Sequence, residues 1–323
     1  MTSTGMNDIV PITDSTFPNL EPERSVLKEI GASLTSHQCK TETEVIAATR
    51  GAKVVLVQFA PITRHVLEAL SSNATMVRYG VGVDNIDLVA AKELGVRVAN
   101  VPDYCLDEVA DHTVAMMLSM LRKLVPLEKE LRAGGWNGIA VSRPILPLKR
   151  TTIGFVGLGR IGQAVLERLR AFGCRFMASD PMLTTEKAEQ LGVELCSLET
   201  LLTESDAISL HSPLTPTTQH LINAARLATM KPTAIVVNSA RGGLIDTQAL
   251  AKALSAGRLG GAALDVFETE PLEIDSPLRD FEQVRLTPHM SWYSEDAMER
   301  LQRLAAEEAV RALKGEALRC PVT

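Results

Sequence analysis

No run of this chain is long and apolar enough to cross a bilayer. Its opening, MTSTGMNDIVPI, lacks the basic region and apolar stretch of a secretory leader. Both absences lead to the expectation of a cytoplasmic protein with no membrane partner. Cysteine is sparse: five residues, at 39, 105, 174, 196 and 320, odd in number and without a CxxC pair. That pattern excludes a disulfide framework and fits reduced thiols. No HExxH or Cys/His cluster has metal-ligand spacing, so no metal is expected. Positive charge is also short. With 33 Lys and Arg against 39 Asp and Glu, the net charge of −6 argues against a nucleic-acid-binding surface. Internal repeats and low-complexity segments are missing.

What is there is a globular composition, 46% hydrophobic and 22% charged, in 323 residues, which suffices for two domains with separate cores. The chain is organised around Thr152 to Asp180. An apolar strand, Ile153 to Val156, runs into Gly157-Leu158-Gly159-Arg160-Ile161-Gly162. A helical pattern follows through Val165, Leu166, Leu169 and Phe172 and stops at Gly173. In a strand-turn-helix that binds a pyrophosphate, each glycine has a task. Gly157 permits the tight turn, Gly159 lets backbone approach the phosphates, and Gly162 lets helix and strand pack closely. The helix start, with Arg160 and Ile161, then turns its N–H groups and positive dipole end toward the anion. Asp180 closes the second strand, where a carboxylate accepts from the adenosine ribose and repels a 2′-phosphate. Pro181 and Met182 follow, with no Arg to hold that phosphate, so NAD is favoured over NADP.

The first hundred residues alternate strand candidates (9–12, 54–59, 76–79 and 96–100) with helical runs (22–30, 42–50, 64–70 and 86–94), the pattern of a parallel sheet covered on both faces. Two loops at strand ends, Gln58-Phe59-Ala60-Pro61 and Arg78 to Asn85, are candidate substrate contacts, because doubly wound sheets bind ligands at the carboxyl ends of their strands. Residues 106–131 read as one long helix that Pro126 kinks or ends, with a Met and Leu stripe that reads as packing. That helix and the following Arg132-Ala133-Gly134-Gly135-Trp136-Asn137 are candidates for a dimer face. After Asp180, strands near 193–195, 207–211, 234–238, 261–266 and 284–286 alternate with helices and complete a second doubly wound domain. A final amphipathic helix runs from Glu295 to Leu313.

A nicotinamide site further needs a proton donor, a group that controls the donor, and a cation for an anionic substrate. Candidates stand at strand ends: Asn238 to Gly243, Leu264 to Pro271, and Leu286 to His289. Spacing does not choose His289 over His211. An Arg241 that pairs with a neighbouring carboxylate, or a Glu270 that only opens a loop, fits the same pattern.

Seven segments in order resemble the D-isomer-specific 2-hydroxyacid dehydrogenases: RYGVGVDNID (78–87), NVPDYCLDEVADHT (100–113), GFVGLGRIG (154–162), HSPLTPTT (211–218), NSARGGLID (238–246), GAALDVFETEP (261–271) and TPHMSWYSE (287–295). They span nearly the whole chain. The Trp-Tyr-Ser-Glu after His289 and Met290-Ser291 resembles the branch that contains the C-terminal-binding proteins, corepressors with a dehydrogenase fold.

The resemblance implies two doubly wound α/β domains, with a Rossmann NAD-binding domain (104–290) inserted in a flavodoxin-like substrate domain (1–103 and 291–323). It implies interconversion of a small (R)-2-hydroxy acid and its 2-keto acid by a homodimer. His289 matches the acid/base, and Glu270 the carboxylate that favours its imidazolium form. Arg241 matches the cation for the substrate's carboxylate and carbonyl. Arg78 matches a further cation, and Gly80 and Val81 lie where N–H groups hold the carboxylate. Asp265 matches a residue at the nicotinamide end, and Pro213, Ser239 and Ala240 line the cofactor. Trp292, three residues beyond His289, is a candidate wall for the substrate's side chain. Glu270 stands where formate dehydrogenases of this superfamily carry glutamine, which disfavours that chemistry. Two other readings stay open: an NAD(H)-sensing corepressor-like binding protein, and a short phosphoglycerate dehydrogenase without the regulatory extension of many.

Overall fold

The computed structural model describes residues 8–323. Met1–Asn7, part of the stretch read for a leader, lie outside the described residues. The chain divides into two compact units, one formed by residues up to Cys105 together with Ser294–Thr323, the other by Leu106–Tyr293.

In the first unit, strands β1 (Ile9–Ile12), β2 (Ser33–Ser36), β3 (Val54–Val57), β4 (Thr75–Arg78) and β5 (Arg97–Ala99) alternate with helices α1 (Glu21–Lys28), α2 (Glu42–Thr49), α3 (Arg64–Glu68) and α4 (Leu88–Glu93). The strands pair in parallel in the order β2-β1-β3-β4-β5, the flavodoxin-like order. Val54 to Val57 are all buried, which explains the unbroken apolar run of a central parallel strand. The edge strand β2 (Ser-Leu-Thr-Ser) has no such run and does not stand out in the sequence. Thr41 caps α2 in a reciprocal box with Glu44.

The second unit starts with α5 (Leu106–Leu121), α6 (Leu124–Arg132) and α7 (Gly138–Ser142). There follow β6 (Thr152–Val156), α8 (Arg160–Leu169), β7 (Arg175–Ser179), α9 (Thr185–Gln190), β8 (Glu194–Leu195), α10 (Leu198–Glu204) and β9 (Ala207–Leu210). The unit closes with α11 (Ala224–Thr229), β10 (Ile235–Asn238), α12 (Thr247–Ser255), β11 (Gly261–Leu264) and β12 (Val284–Leu286). The parallel order β12-β11-β10-β9-β6-β7-β8 reverses between β6 and β9, the switch point where a Rossmann sheet receives its dinucleotide.

The expected single helix over 106–131 is two. Lys123 takes a left-handed φ of 55° and ends α5, while Pro126 sits in the first turn of α6. A proline there replaces an N–H that has no intrahelical acceptor, so it neither ends nor kinks the run. Met116, Met117 and Met120 of α5 are buried in the core with Phe155 and Leu166, as the packing reading expects.

The chain ends with α13 (Glu295–Leu313), capped by Ser294 on the N–H of Ala297. Its buried Ala297, Leu301, Ala305, Ala309 and Ala312 pack against α1, β3 and β4 of the first unit. Small residues at this spacing let the helix lie close to its neighbours. No helix among the described residues is long and apolar enough to cross a membrane.

Candidate active site

At the switch point, β6 delivers Gly157 into the turn with φ +84°, where a Cβ would meet Ser212 N at 2.9 Å and the His211 carbonyl carbon at 3.0 Å. A side chain at Gly162 would press on Gly157 O at 2.9 Å, so this glycine sets how closely α8 packs on the strand. Gly159 differs. A Cβ there meets no atom within 4 Å among the described residues, and no side chain caps α8, which Arg160 and Ile161 begin. Open space over uncapped N–H groups is what a pyrophosphate needs.

Asp180 accepts hydrogen bonds from Leu158 N at 2.7 Å and Met182 N at 2.8 Å. Its carboxylate is thereby pinned against the middle of the glycine turn. Pro213 follows β9 on the other side of the switch point. Asp180→Ala should weaken NADH binding and narrow the NADH-over-NADPH ratio of kcat/KM, by roughly 1.5–3 kcal/mol for one charged hydrogen-bonding contact. An unchanged ratio would remove Asp180 from cofactor selection.

The turn after β10 is built by Asn238, the first residue of the 238–243 candidate stretch. Fully buried, it donates to Arg241 O at 2.9 Å and accepts from Ala240 N at 3.0 Å. Ser239 is held by Thr113 of α5, hydroxyl to hydroxyl at 2.6 Å. Arg241 Nη1 donates to Ala240 O at 2.7 Å. Gly242 carries no side chain for a physical reason: a Cβ would overlap the Phe267 carbonyl carbon at 1.8 Å. The Arg241 turn is thus packed backbone to backbone on the loop that carries Glu270.

Glu270 uses both oxygens, accepting from Phe267 N at 2.9 Å and meeting His289 Nδ1 at 2.7 Å. His289, like Glu270, keeps about a third of its side chain exposed, 32% and 33%. Its backbone is left-handed (φ 54°), and its N–H is divided between Asp265 O at 2.8 Å and Thr287 O at 3.0 Å.

Asp265, expected at the nicotinamide end, has no exposed surface. Its carboxylate accepts from Thr287 Oγ1 (2.6 Å), Met290 N (2.8 Å) and Ser291 N (2.9 Å). It holds the loop that presents His289. His112 of α5 extends this network, its Nε2 lying 3.0 Å from Thr287 Oγ1. Its only sequence signal was its place in VADHT.

The other histidines are separated by their surroundings. The His211 ring stacks beside Phe155 with Nε2 on Ser209 Oγ at 2.8 Å, and burial pushes its pKa down to about 4. It is neutral near pH 7 and suits packing at the switch point. His220 faces Glu268 at 2.5 Å, but Glu268 also accepts from Thr247 N and so caps the start of α12. Among these, His289 alone meets Glu270.

In the first unit, Arg78 ends β4 and folds back over Gly80, whose missing Cβ would lie 1.7 Å from Arg78 Nη1. Gly80 (φ +132°) gives its N–H to Arg78 O at 3.0 Å, so that N–H is turned to its own chain and not to an incoming anion. Val81 O accepts from Asn100 Nδ2 at 2.6 Å, which fixes the loop. Trp292 lies edge to face with Tyr293, ring centroids 5.7 Å apart, just before the chain returns to the first unit at Ser294.

An open helix start at a Rossmann switch point, three glycines and a pinned carboxylate define a nicotinamide-dinucleotide-binding α/β protein. The chain belongs to the D-isomer specific 2-hydroxyacid dehydrogenase family, and residues 114–291 match the family's NAD binding domain. It is 39% identical over 303 residues to the D-3-phosphoglycerate dehydrogenase of Methanocaldococcus jannaschii, covering 93% of this chain and 57% of that one. It is 38% identical over 306 residues to the glyoxylate reductase of Thermofilum pendens, covering 92% and 89%. The structure of D-lactate dehydrogenase from Aquifex aeolicus, complexed with NAD and lactic acid, superposes with a TM-score of 0.84 at 30% identity, covering 95% of this chain and 96% of that one. The chain spans little more than half the length of the phosphoglycerate dehydrogenase it matches.

Proposed function

We propose that the protein is an NAD-dependent oxidoreductase that interconverts a small 2-keto acid and its (R)-2-hydroxy acid. The observation that carries this reading is the His289–Glu270 contact at 2.7 Å, with the second Glu270 oxygen on Phe267 N. A carboxylate so oriented holds the imidazole ring in one orientation through Nδ1. When bound, the reduced dinucleotide supplies the hydride. His289 gives its proton to the carbonyl oxygen as negative charge develops there, and Glu270 keeps the ring oriented for the transfer. Arg241 offers a planar fork to the substrate carboxylate, a shape that lysine would not reproduce. Asp265 and Asn238 act indirectly, by holding the His289 and Arg241 loops. Pro213, Ser239 and Ala240 line the cofactor.

Trp292 supplies apolar wall for the substrate's side chain. NADH oxidation measured over a panel of 2-keto acids tests the whole reading, and failure to reduce any member would end it. Acids with a modest apolar or thioether tail should outperform glyoxylate, by roughly 1 kcal/mol per methylene. Trp292→Ala should cost the tailed acids more than glyoxylate and leave NADH affinity nearly intact. An equal loss for all, with a lower melting temperature, would make Trp292 a packing residue.

The partner we infer is a second copy of the chain, seated on the apolar surface of α6 and α7. Leu124, Leu131 and Ile139 are each more than half exposed there, and Trp136, in the connecting loop, is 90% exposed. Such a face is costly to leave in water. Light scattering on the 34.9 kDa chain should give twice that mass, and a monomer at micromolar concentration would contradict the inference.

A further inference from the structure

Strands β9, β10 and β11 lie side by side in the seven-stranded sheet, and the loops at their carboxyl ends carry Pro213, Arg241 and Glu270 in turn. One side-chain contact joins the first of these loops to the third. His220 Nε2 lies 2.5 Å from Glu268 Oε1, so the contact spans the turn of the strand between them. That turn is tied in at both ends of the span. The His220 N–H donates to Gly243 O at 2.8 Å. On the other side Gly242 is pressed on the Glu268 backbone, where a Cβ would stand 2.4 Å from Glu268 N. Glu268 is also two residues from Glu270, in the loop whose Phe267 N–H holds the Glu270 carboxylate.

The fold gains little from this contact. The three strands pair over their full length without it, and α12 has its own cap in Asp246, which accepts from Ala249 N at 2.9 Å. The His220 and Glu268 side chains are 41% and 28% exposed, and a pair so open to water adds little stability. His220 moreover takes a left-handed backbone, φ 50°, which its surroundings must hold. The pair is nevertheless chemically well matched. Burial works to raise the Glu268 carboxyl, yet the bonds from Thr247 and His220 hold it below its ordinary value, so it is ionised at neutral pH. An ionised carboxylate only accepts, which makes His220 Nε2 the donor. One carboxylate oxygen serves His220 and the other serves Thr247 N at 2.7 Å.

We propose that His220 and Glu268 are positioning residues of the dehydrogenase site: their contact straps the loop after β9 to the loop after β11 and so fixes the spacing of Arg241 and Glu270. This rests on the dehydrogenase reading above. It adds two residues that act through Arg241 and Glu270, and not on the substrate itself.

The test compares the full chain with His220→Asn, Glu268→Gln and the double variant, assayed with NADH and the best-reduced 2-keto acid of the panel. Asn tolerates the left-handed backbone but is too short to reach the carboxylate. Gln keeps an oxygen for Thr247 N and has no second one for His220. Each single variant should lower kcat by roughly ten- to a hundredfold, the scale of a slightly misplaced reacting group. NADH affinity should change far less, because the glycine turn and Asp180 are untouched. The double variant should be about as slow as the slower single one, since the same contact is lost only once. Melting temperatures should stay close to that of the unmodified protein. Unaltered kcat in His220→Asn, or single losses that multiply in the double variant, overturns the assignment and leaves the dehydrogenase reading in place. Unfolding of a single variant at the assay temperature overturns it too, in favour of a packing role. Absence of turnover in the unmodified protein overturns the dehydrogenase reading instead. The strap is then judged by amide hydrogen exchange over residues 239–246 and 265–271, which should quicken in His220→Asn, and unchanged exchange overturns it.

Discussion

His289→Ala is expected to lower kcat for 2-keto acid reduction by about a hundred- to ten-thousand-fold, the range for loss of a positioned general acid. NADH affinity should stay close to that of the unmodified protein, because the glycine turn and Asp180 are separate from the His289 loop. The companion variant Glu270→Gln separates positioning from charge. Gln can still accept from Phe267 N, as Glu270 does at 2.9 Å, but it brings no negative charge to the His289 ring. Loss of the charged partner of the ring should lower kcat for reduction while NADH affinity stays nearly unchanged. A Gln variant with unaltered kcat would take Glu270 out of this role. Appreciable turnover in His289→Ala would take His289 out of the chemistry.

Asp265→Ala should be the most damaging change to the fold near the site. It would leave Met290 N, Ser291 N and the Thr287 hydroxyl, now 2.6–2.9 Å from the carboxylate, without their acceptor in a buried place. Each orphaned buried group costs about 1–3 kcal/mol, and relaxation of the loop makes the sum smaller than three full penalties. A loss of about 3–5 kcal/mol follows, near 10 °C in Tm for a domain of this size. The loop also contains His289 in its left-handed conformation, φ 54°, which persists only while the surroundings hold it. Any Asp265→Ala protein that remains folded at low temperature should therefore show a large fall in kcat with a smaller change in NADH affinity. Full activity with an unchanged melting temperature would contradict this account of Asp265.

The division between what the sequence carried and what the fold added follows the range of the forces. The glycine turn was legible because its needs are local. Gly157 requires a positive φ, and Gly162 faces Gly157 O across the turn, both within a six-residue motif. Strand and helix alternation was legible for the same reason, since buried parallel strands such as Val54–Val57 and Ile235–Asn238 are short apolar runs. The edge strand Ser33–Ser36 escaped because its pairing with β1 is made by backbone groups that any sequence possesses. Pro126 misled because a proline's effect depends on its place in a helix. Only the left-handed Lys123 reveals that the helix starts anew just before it.

The site shows the same boundary. By residue type and spacing His211 and His289 were equal candidates. The surrounding chain separates them, with desolvation keeping His211 neutral and Glu270 aimed at His289. That Asp265 holds the His289 loop could not be read from its place after a strand. Its burial and three donors come from a loop more than twenty residues further along the chain. Sequence by itself determined the nucleotide turn, the α/β alternation and the stock of chemical groups, because these rest on local backbone preference and residue chemistry. Tertiary structure decided which groups face each other and which are shielded from water, because proximity and desolvation arise only when distant segments pack.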